Sequence, residues 1–348
     1  MKYLLFLTLV VTIFTLSNCS KDSFEKLPIT QNFHSLSTEI DLTDSIHCYS
    51  IDSLFDTGLS GAFIGADSIS IYYKYYLQDS AEKGAIVISS GRTEATVKYK
   101  EVIYDLFKSG YSIYIHDHRG QGFSGRMVAS HDMGYVDKFE NYVADFKQFY
   151  DGYIKPNNHK NLFLLSHSLG GAIAILYLEK YSEDFDKAIL ISPMFGLQFP
   201  ICELAKLLTP RAPKYALGQG DFNAWFADYK NNVLTSCEIR YSRFANAYSK
   251  YSDVKLGGAT YQWIDRSCSQ FPAIFSNLDK INIPILLFSG ENEKVVSKDA
   301  HQKFIKKLNL LDKNEECYTV KNSMHEMLFE KDSVRVSVLN KVFDFYSK

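Results

Sequence analysis

The apolar residues of this chain fall into two recurring patterns. Over 84–89 and 162–165 the sequences G-A-I-V-I-S and L-F-L-L have almost no polar interruption, and 187–191 (K-A-I-L-I) and 283–288 (I-P-I-L-L-F) read similarly. Short continuous runs of this kind suit strands of a parallel sheet that is covered on both faces. Segments 98–110 and 139–149 instead carry apolar residues at helical spacing, and 111–116 returns to a strand. Residues 61–77 alternate on both sides of Ala66-Asp67-Ser68, which predicts a β-hairpin opening the sheet. Strand, helix, strand in this order implies right-handed crossovers, so the fold class is α/β with a mostly parallel, doubly wound sheet. Between 194 and 282 the alternation stops. This interval reads as a helical cap insertion; it contains both tryptophans, Trp225 and Trp263, and ten Lys and Arg against seven Asp and Glu. A basic, aromatic cap suits an anionic or zwitterionic lipid headgroup with an acyl chain, although a solvated face gives the same count.

The N-terminus breaks from this alternation. Residues 1–18 hold one early Lys and an apolar run that ends in small residues, the pattern of an export signal. The ending L-S-N-C is similar to a bacterial lipobox, with Asn18 where Gly or Ala is usual, and it makes Cys19 the candidate lipidation site. A diacylated Cys19 would make the protein an exported, membrane-anchored lipoprotein on the periplasmic face or cell surface. Residues 19–45 are rich in Ser, Thr and Asp, with Gln and Asn, show little periodicity, and are expected to be a polar tether with few contacts. The folded domain then covers 46–348. Cys48, Cys202, Cys237, Cys268 and Cys317 remain, an odd number without a CxxC or zinc spacing, and are expected to be mostly buried structural residues.

The balance of 46% hydrophobic and 22% charged residues over 348 positions is that of an ordinary globular enzyme. A net charge of −2 and the lack of a Lys/Arg stripe exclude nucleic acid as an expected partner. The 24 Tyr and 25 Phe must line a large apolar surface, either a core or a substrate groove.

Chemistry concentrates at 161–174, N-L-F-L-L-S-H-S-L-G-G-A-I-A, where a buried strand runs straight into a helix through a small-x-Ser-x-Gly-Gly turn. This is a nucleophile elbow with Ser168 at its apex. Ser166 replaces the usual Gly two positions earlier, and a Ser-rich structural turn is the bland alternative. A serine hydroxyl needs a base, an orienting acid and oxyanion donors. Where a serine stands at such an elbow, its partners follow in chain order Ser, acid, His. Glu293 stands just past a strand that ends at Gly290, with Glu291 and Asp299 as rivals. His325, between a strand-like 317–320 and a final helix, is the base of choice, whereas His301 falls on a predicted helix and is expected to face solvent. His167 is expected to pack beneath the elbow. His116 and His118 share a strand face but lack a third ligand, so no metal and no cofactor is expected. The backbone N–H groups of Leu169 and of Arg92, after the turn at Gly91, are the expected oxyanion donors, with the Arg92 side chain adding only a secondary electrostatic effect.

Taken together, these segments resemble the bacterial lysophospholipases of the monoacylglycerol-lipase-like group of α/β hydrolases. The resemblance rests on G-R-T-E-A-T-V-K-Y at 91–99, Y-D-L-F-K-S-G at 104–110, D-H-R-G-Q-G-F-S-G-R at 117–126, S-H-S-L-G-G-A-I at 166–173, S-P-M-F-G at 192–196, G-G-A-T-Y-Q-W at 257–263 and H-E-M-L-F-E-K-D at 325–332. It spans roughly residues 60–348. It implies an α/β-hydrolase fold with Ser168 as nucleophile, Glu293 as acid and His325 as base, a serine carboxylester hydrolase acting on a lipid or small acyl ester and expected to release a fatty acid from lysophospholipids. The family's usual Met after the nucleophile is Leu169 here, and the export signal lies outside the family pattern. A monoacylglycerol lipase or short-chain esterase is the rival enzyme. A binding lipoprotein that kept the fold without catalysis is the rival from another class.

Overall fold

The uninterrupted apolar runs form the middle of a sheet covered on both faces. The computed structural model describes residues 24–79, 81–222 and 229–348; residues 1–18, expected to be an export signal, Cys19 and Trp225 lie outside the described residues. In chain order the first half contains β1 (Glu25–Lys26), α1 (Ser45–Thr57), β2 (Leu59–Ile64), β3 (Ser70–Tyr76), β4 (Gly84–Ser89), α2 (Lys100–Lys108), β5 (Tyr111–His116) and α3 (Glu140–Phe149). Next come β6 (Leu162–His167), α4 (Leu169–Tyr181), β7 (Lys187–Ile191), α5 (Ile201–Leu208), α6 (Glu238–Lys250) and α7 (Tyr261–Ile274). The chain ends with β8 (Ile285–Gly290), α8 (Lys298–Leu310), β9 (Glu315–Val320) and α9 (Asp332–Ser347).

The strand order is β1-β9-β8-β7-β6-β4-β5-β3-β2. Pairing is parallel from β1 through β5, and β3 runs antiparallel to both β5 and β2, closing the expected hairpin. Period-two geometry explains why the strands carry no polar face. Ile86 and Ile88 of β4 enter the core beneath α2 and α9, while Ala85 and Val87 enter the one beneath α3, α4 and α8. Helix α4 is buried from Leu169 to Glu179, which is why it reads as apolar all round. Many of the abundant aromatics are core residues: Phe63 stacks on Phe149 at 6.3 Å, and Tyr73 meets Tyr153 at 4.0 Å beside the hairpin.

The segment expected to be a tether behaves differently over residues 24–45. Its β1 adds a parallel edge strand to β9, and Leu27, Leu36 and Leu42 are buried. Ser37 donates to Asp105 Oδ1 from its N–H (3.0 Å) and its hydroxyl (2.7 Å), and its carbonyl accepts from Arg240 (3.1 Å) and Arg335 (3.2 Å). The Glu39 N–H donates to Asp332 at 2.8 Å. Polar composition misled here because these side chains and backbone groups meet buried charges instead of water, so the segment is a strap on the domain.

Among its described residues the 194–282 interval carries helices α5, α6 and α7. A disulfide between Cys202 and Cys268 joins α5 to α7. Of the cysteines expected to be buried, Cys237 is, whereas Cys48 and Cys317 are partly exposed. Tyr241, Phe244 and Tyr248 of α6 pack into the core with α2 and α9, which fixes part of the insertion to the body. Among the described residues no helix is long and apolar enough to cross a membrane.

Candidate active site

Parallel pairing aligns the carboxyl ends of β4, β6, β7, β8 and β9, because Ser89 faces Ser166, His167 faces Ile191 and Gly290 faces Val320 across the ladders. Every candidate site segment leaves the sheet at this edge. Ser168 turns from β6 into α4 with φ 51° and ψ −117°, a conformation that costs about 1–3 kcal/mol in a residue with a Cβ and persists only where the surroundings impose it. They do. The Ser168 N–H donates to Ile191 O at 3.1 Å, and its carbonyl accepts from Met194 at 2.8 Å and Gly171 at 2.9 Å. A Cβ on Gly170 would run into the Ser89 carbonyl, so strand β4 and helix α4 meet here more closely than any other residue allows. Ser166 is accommodated because its hydroxyl donates to Ile189 O at 2.9 Å.

Glu293 and His325 meet on the loops after β8 and β9. His325 Nδ1 donates to Glu293 Oε2 at 2.8 Å, which leaves Nε2 as the basic nitrogen. The other oxygen of Glu293 accepts from the N–H groups of Val295 (2.7 Å) and Val296 (3.2 Å). Burial alone would push this carboxyl up, but the His325 hydrogen bond and charge, with the two backbone donors, hold it down at about 2. Its rivals point elsewhere: Glu291 accepts from the Asn322 N–H at 2.9 Å, and Asp299 sits in the first turn of α8. Ser168 and His325 both line one cavity of about 350 Å³, together with Arg92, Met194, Trp263 and Val295. The backbone N–H groups of Arg92 and Leu169 have no protein acceptor among the described residues.

His301 was expected to face solvent. It is buried instead, with Nδ1 2.9 Å from the Ser289 hydroxyl and Nε2 2.7 Å from Pro193 O, because α8 turns that face toward β8; burial pushes it down to about 4. His116 and His118 lie ring to ring at 4.7 Å in the core, and burial holds both below the usual imidazole range. No group of three His, Cys, Asp or Glu among the described residues is arranged to hold a metal.

His167 does more than pack beneath the elbow. Its Nδ1 faces Glu94 Oε2 and its Nε2 faces the His325 carbonyl, each at 3.3 Å. Both nitrogens face acceptors, so the ring fits as an imidazolium. Burial opposes the charge, but Glu94 and Glu326 outweigh burial and raise its pKa. Lys98 Nζ completes the cluster, donating to Glu94 at 2.7 Å and Glu326 at 2.6 Å, and Tyr99 donates to Glu94 at 2.6 Å. Two carboxylates and two cations thus balance inside the protein. They tie the loop after β4 to the elbow and to the His325 loop. Sequence reasoning missed this cluster, although Glu94 and Lys98, four apart, and Glu326 beside His325 are charges within otherwise buried motifs.

Glu293→Gln is therefore expected to lower ester turnover on the order of 10² to 10⁴-fold, with Glu291→Gln and Asp299→Asn within about tenfold of wild type. Because the folded carboxyl lies below its ordinary value, the wild type should be more stable than Glu293→Gln above about pH 4.5. This advantage, on the order of 3 kcal/mol, should vanish as the pH falls through about 2. Urea unfolding of both proteins between pH 7 and pH 2 checks the window, and a difference independent of pH would contradict the assigned contact.

A family model described as serine aminopeptidase S33 matches residues 80–332. The chain is 33% identical over 297 residues to lysophospholipase L2 of Escherichia coli K12, covering 82% of this chain and 86% of that protein. It is likewise 33% identical over 289 residues to the probable lysophospholipase L2 of Haemophilus influenzae, covering 81% and 90%. The crystal structure of a soluble variant of Saccharomyces cerevisiae monoglyceride lipase, in complex with a substrate analogue, superposes with a TM-score of 0.64 at 18% identity, covering 83% of this chain and 94% of that one. The fold, the elbow and these similarities agree: the chain belongs to the serine aminopeptidase S33 family of α/β hydrolases and is a serine ester hydrolase.

Proposed function

We propose that the protein releases the fatty acid from lysophospholipids, with Ser168, His325 and Glu293 as its catalytic triad. The observation that carries the triad is the 2.8 Å contact between His325 Nδ1 and Glu293, in a residue that shares the cavity of Ser168. His325 Nε2 takes the Ser168 proton as the hydroxyl oxygen attacks the acyl carbonyl. The Arg92 and Leu169 N–H groups hold the developing oxyanion. Collapse of the tetrahedral adduct returns that proton to the departing glycerol oxygen and leaves an acyl-serine. Water, deprotonated by the same imidazole, then attacks the acyl carbon; the proton goes back to Ser168 and the fatty acid leaves. Glu293 keeps the proton on Nδ1 throughout and stabilises the imidazolium.

Support for lysophospholipids over other esters comes from the lysophospholipase L2 relatives, which match over most of their length, and from the basic balance of the cap. Purified protein should release fatty acid from lysophosphatidylcholine or lysophosphatidylethanolamine, and Ser168→Ala should abolish release while leaving substrate binding nearly unchanged. Cleavage of monoacylglycerol or short p-nitrophenyl esters alone would move the reading to the rival esterases.

Export and lipidation at Cys19 belong to the same proposal. The Cys202–Cys268 disulfide supports export, since such bonds persist in oxidising compartments. Full-length protein should fractionate with membranes and Cys19→Ala should not; equal recovery of both would refute the anchor.

A further inference from the structure

Most buried cations among the described residues are paired with carboxylates; buried Lys74 donates instead to the Gly58 carbonyl at 3.0 Å, and half-buried Arg92, on the wall of the Ser168 cavity, is also without a carboxylate. Arg119 meets Asp145 at 2.7 Å, Arg335 meets Asp105 at 2.6 Å, Arg240 meets Glu101 and Asp332, and Lys98 meets Glu94 and Glu326. Arg92 has no carboxylate within ion-pair distance among the described residues. Its Nη2 donates to Gly257 O at 2.9 Å, its guanidinium lies over the Trp263 ring at 5.0 Å, and its Nε is buried without a partner. Glu94, two residues on, is turned away into the cluster with Lys98 and His167. Burial depresses the guanidinium to about 10, and phenols, those of Tyr142 and Tyr215, rather than carboxylates oppose that depression. The surrounding cavity wall is largely apolar, with Leu197, Ile201, Leu234 and Val295. A cation placed against such a wall without a counter-ion leaves unmet donors that an oxyanion of matching geometry would fill.

Position narrows the anion. The Arg92 N–H is a donor for the ester oxygen in the proposed mechanism, and its guanidinium is displaced from that point along its own side chain. As many bonded atoms separate the backbone nitrogen from Cζ as separate the ester carbon from the phosphorus of a 1-acyl glycerophospholipid. We infer that the Arg92 guanidinium is a phosphate subsite of the acyl-ester cavity, binding the headgroup phosphodiester of a lysophospholipid while the backbone of the same residue holds the ester oxygen. The inference rests on the proposed lysophospholipid reading and makes this side chain the determinant that favours a phosphate-bearing ester over an uncharged glyceride.

Two measurements separate the subsite from the substrate assignment. In the first, kcat/KM is compared for lysophosphatidylcholine and monoacylglycerol of the same acyl length. Arg92→Gln should lower the ratio of the two about 10- to 100-fold, the loss of a charge-assisted contact, and Arg92→Lys should lower it less. An equal loss on both substrates would reduce Arg92 to a brace between the oxyanion loop and the cap and overturn the inference. In the second, hydrolysis of p-nitrophenyl butyrate is inhibited with glycerophosphocholine, glycerol or inorganic phosphate, a readout that needs no lysophospholipid turnover. Glycerophosphocholine should compete with the ester in wild type, should bind at least about tenfold more weakly to Arg92→Gln, and should exceed both glycerol and phosphate. Inhibition unaffected by Arg92→Gln, or equal inhibition by glycerol, would overturn the subsite. Inorganic phosphate acting as strongly as glycerophosphocholine would overturn its assignment to a headgroup. Arg92-dependent competition in a protein that cleaves no lysophospholipid would sink the substrate proposal and leave the subsite standing.

Discussion

Among the described glycines the tightest approach is the meeting of β4 with the first turn of α4, where the Ser89 carbonyl occupies the space a Cβ on Gly170 would need. This approach joins two chain segments that sequence separates widely. One ends the strand that leads to Arg92; the other starts the helix that follows Ser168. Because both leave the same sheet edge at neighbouring positions, with Ser89 facing Ser166, the N–H groups of Arg92 and Leu169 come from adjacent sources. The positive φ of Ser168 is the local cost of this arrangement, and its N–H bond to the Ile191 carbonyl and the bond its own carbonyl accepts from Met194 hold it in place. A hydrolase site built this way depends on the register of the sheet, not on the flexibility of its loops.

Around that point the protein buries charge in two different ways. Glu94, Lys98, Glu326 and His167 form a balanced group in which the carboxylates and the cations offset one another's desolvation penalty. Removing one partner from such a set costs about 3–5 kcal/mol, because the others stay buried without compensation. The group spans the loop after β4, His167 just before Ser168 and Glu326 just after His325, so it fixes the three loops relative to one another. Arg92 is left outside this balance and faces the cavity. The contrast makes electrostatics inside the site a matter of positioning, and electrostatics at its wall a matter of recognition.

Much of this was legible in the sequence because its causes are local. Continuous apolar runs identify two-sided strands, and S-H-S-L-G-G identifies the elbow, since sterics at Gly170 leave little choice of residue. Glu293 could be preferred over Glu291 and Asp299 because Val295 and Val296 turn the chain back to the core, and their N–H groups now prove to be its anchors. What the sequence hid depends on distant partners. Residues 24–45 look like a tether because their hydrogen bonds go to Asp105, Arg240, Arg335 and Asp332, far away along the chain. His301 lies on an amphipathic helix whose buried face could not be assigned from spacing alone, and Ser289 and Pro193 claim it. His167 reads as filler until Glu94 and the His325 carbonyl are brought to its two nitrogens. The Cys202–Cys268 pairing likewise follows from the packing of α5 on α7, which no spacing rule encodes.

The central claim is that the sheet edge makes Ser168, out of all the serines here, a nucleophile activated by His325. Active-site labelling with a fluorophosphonate, followed by mass mapping, tests this most directly, since the reagent reacts with an activated serine and needs no choice of substrate. The structure predicts one adduct per chain, on Ser168, and loss of labelling in His325→Ala. Labelling at another residue, or unchanged labelling of Ser168 without His325, would contradict it.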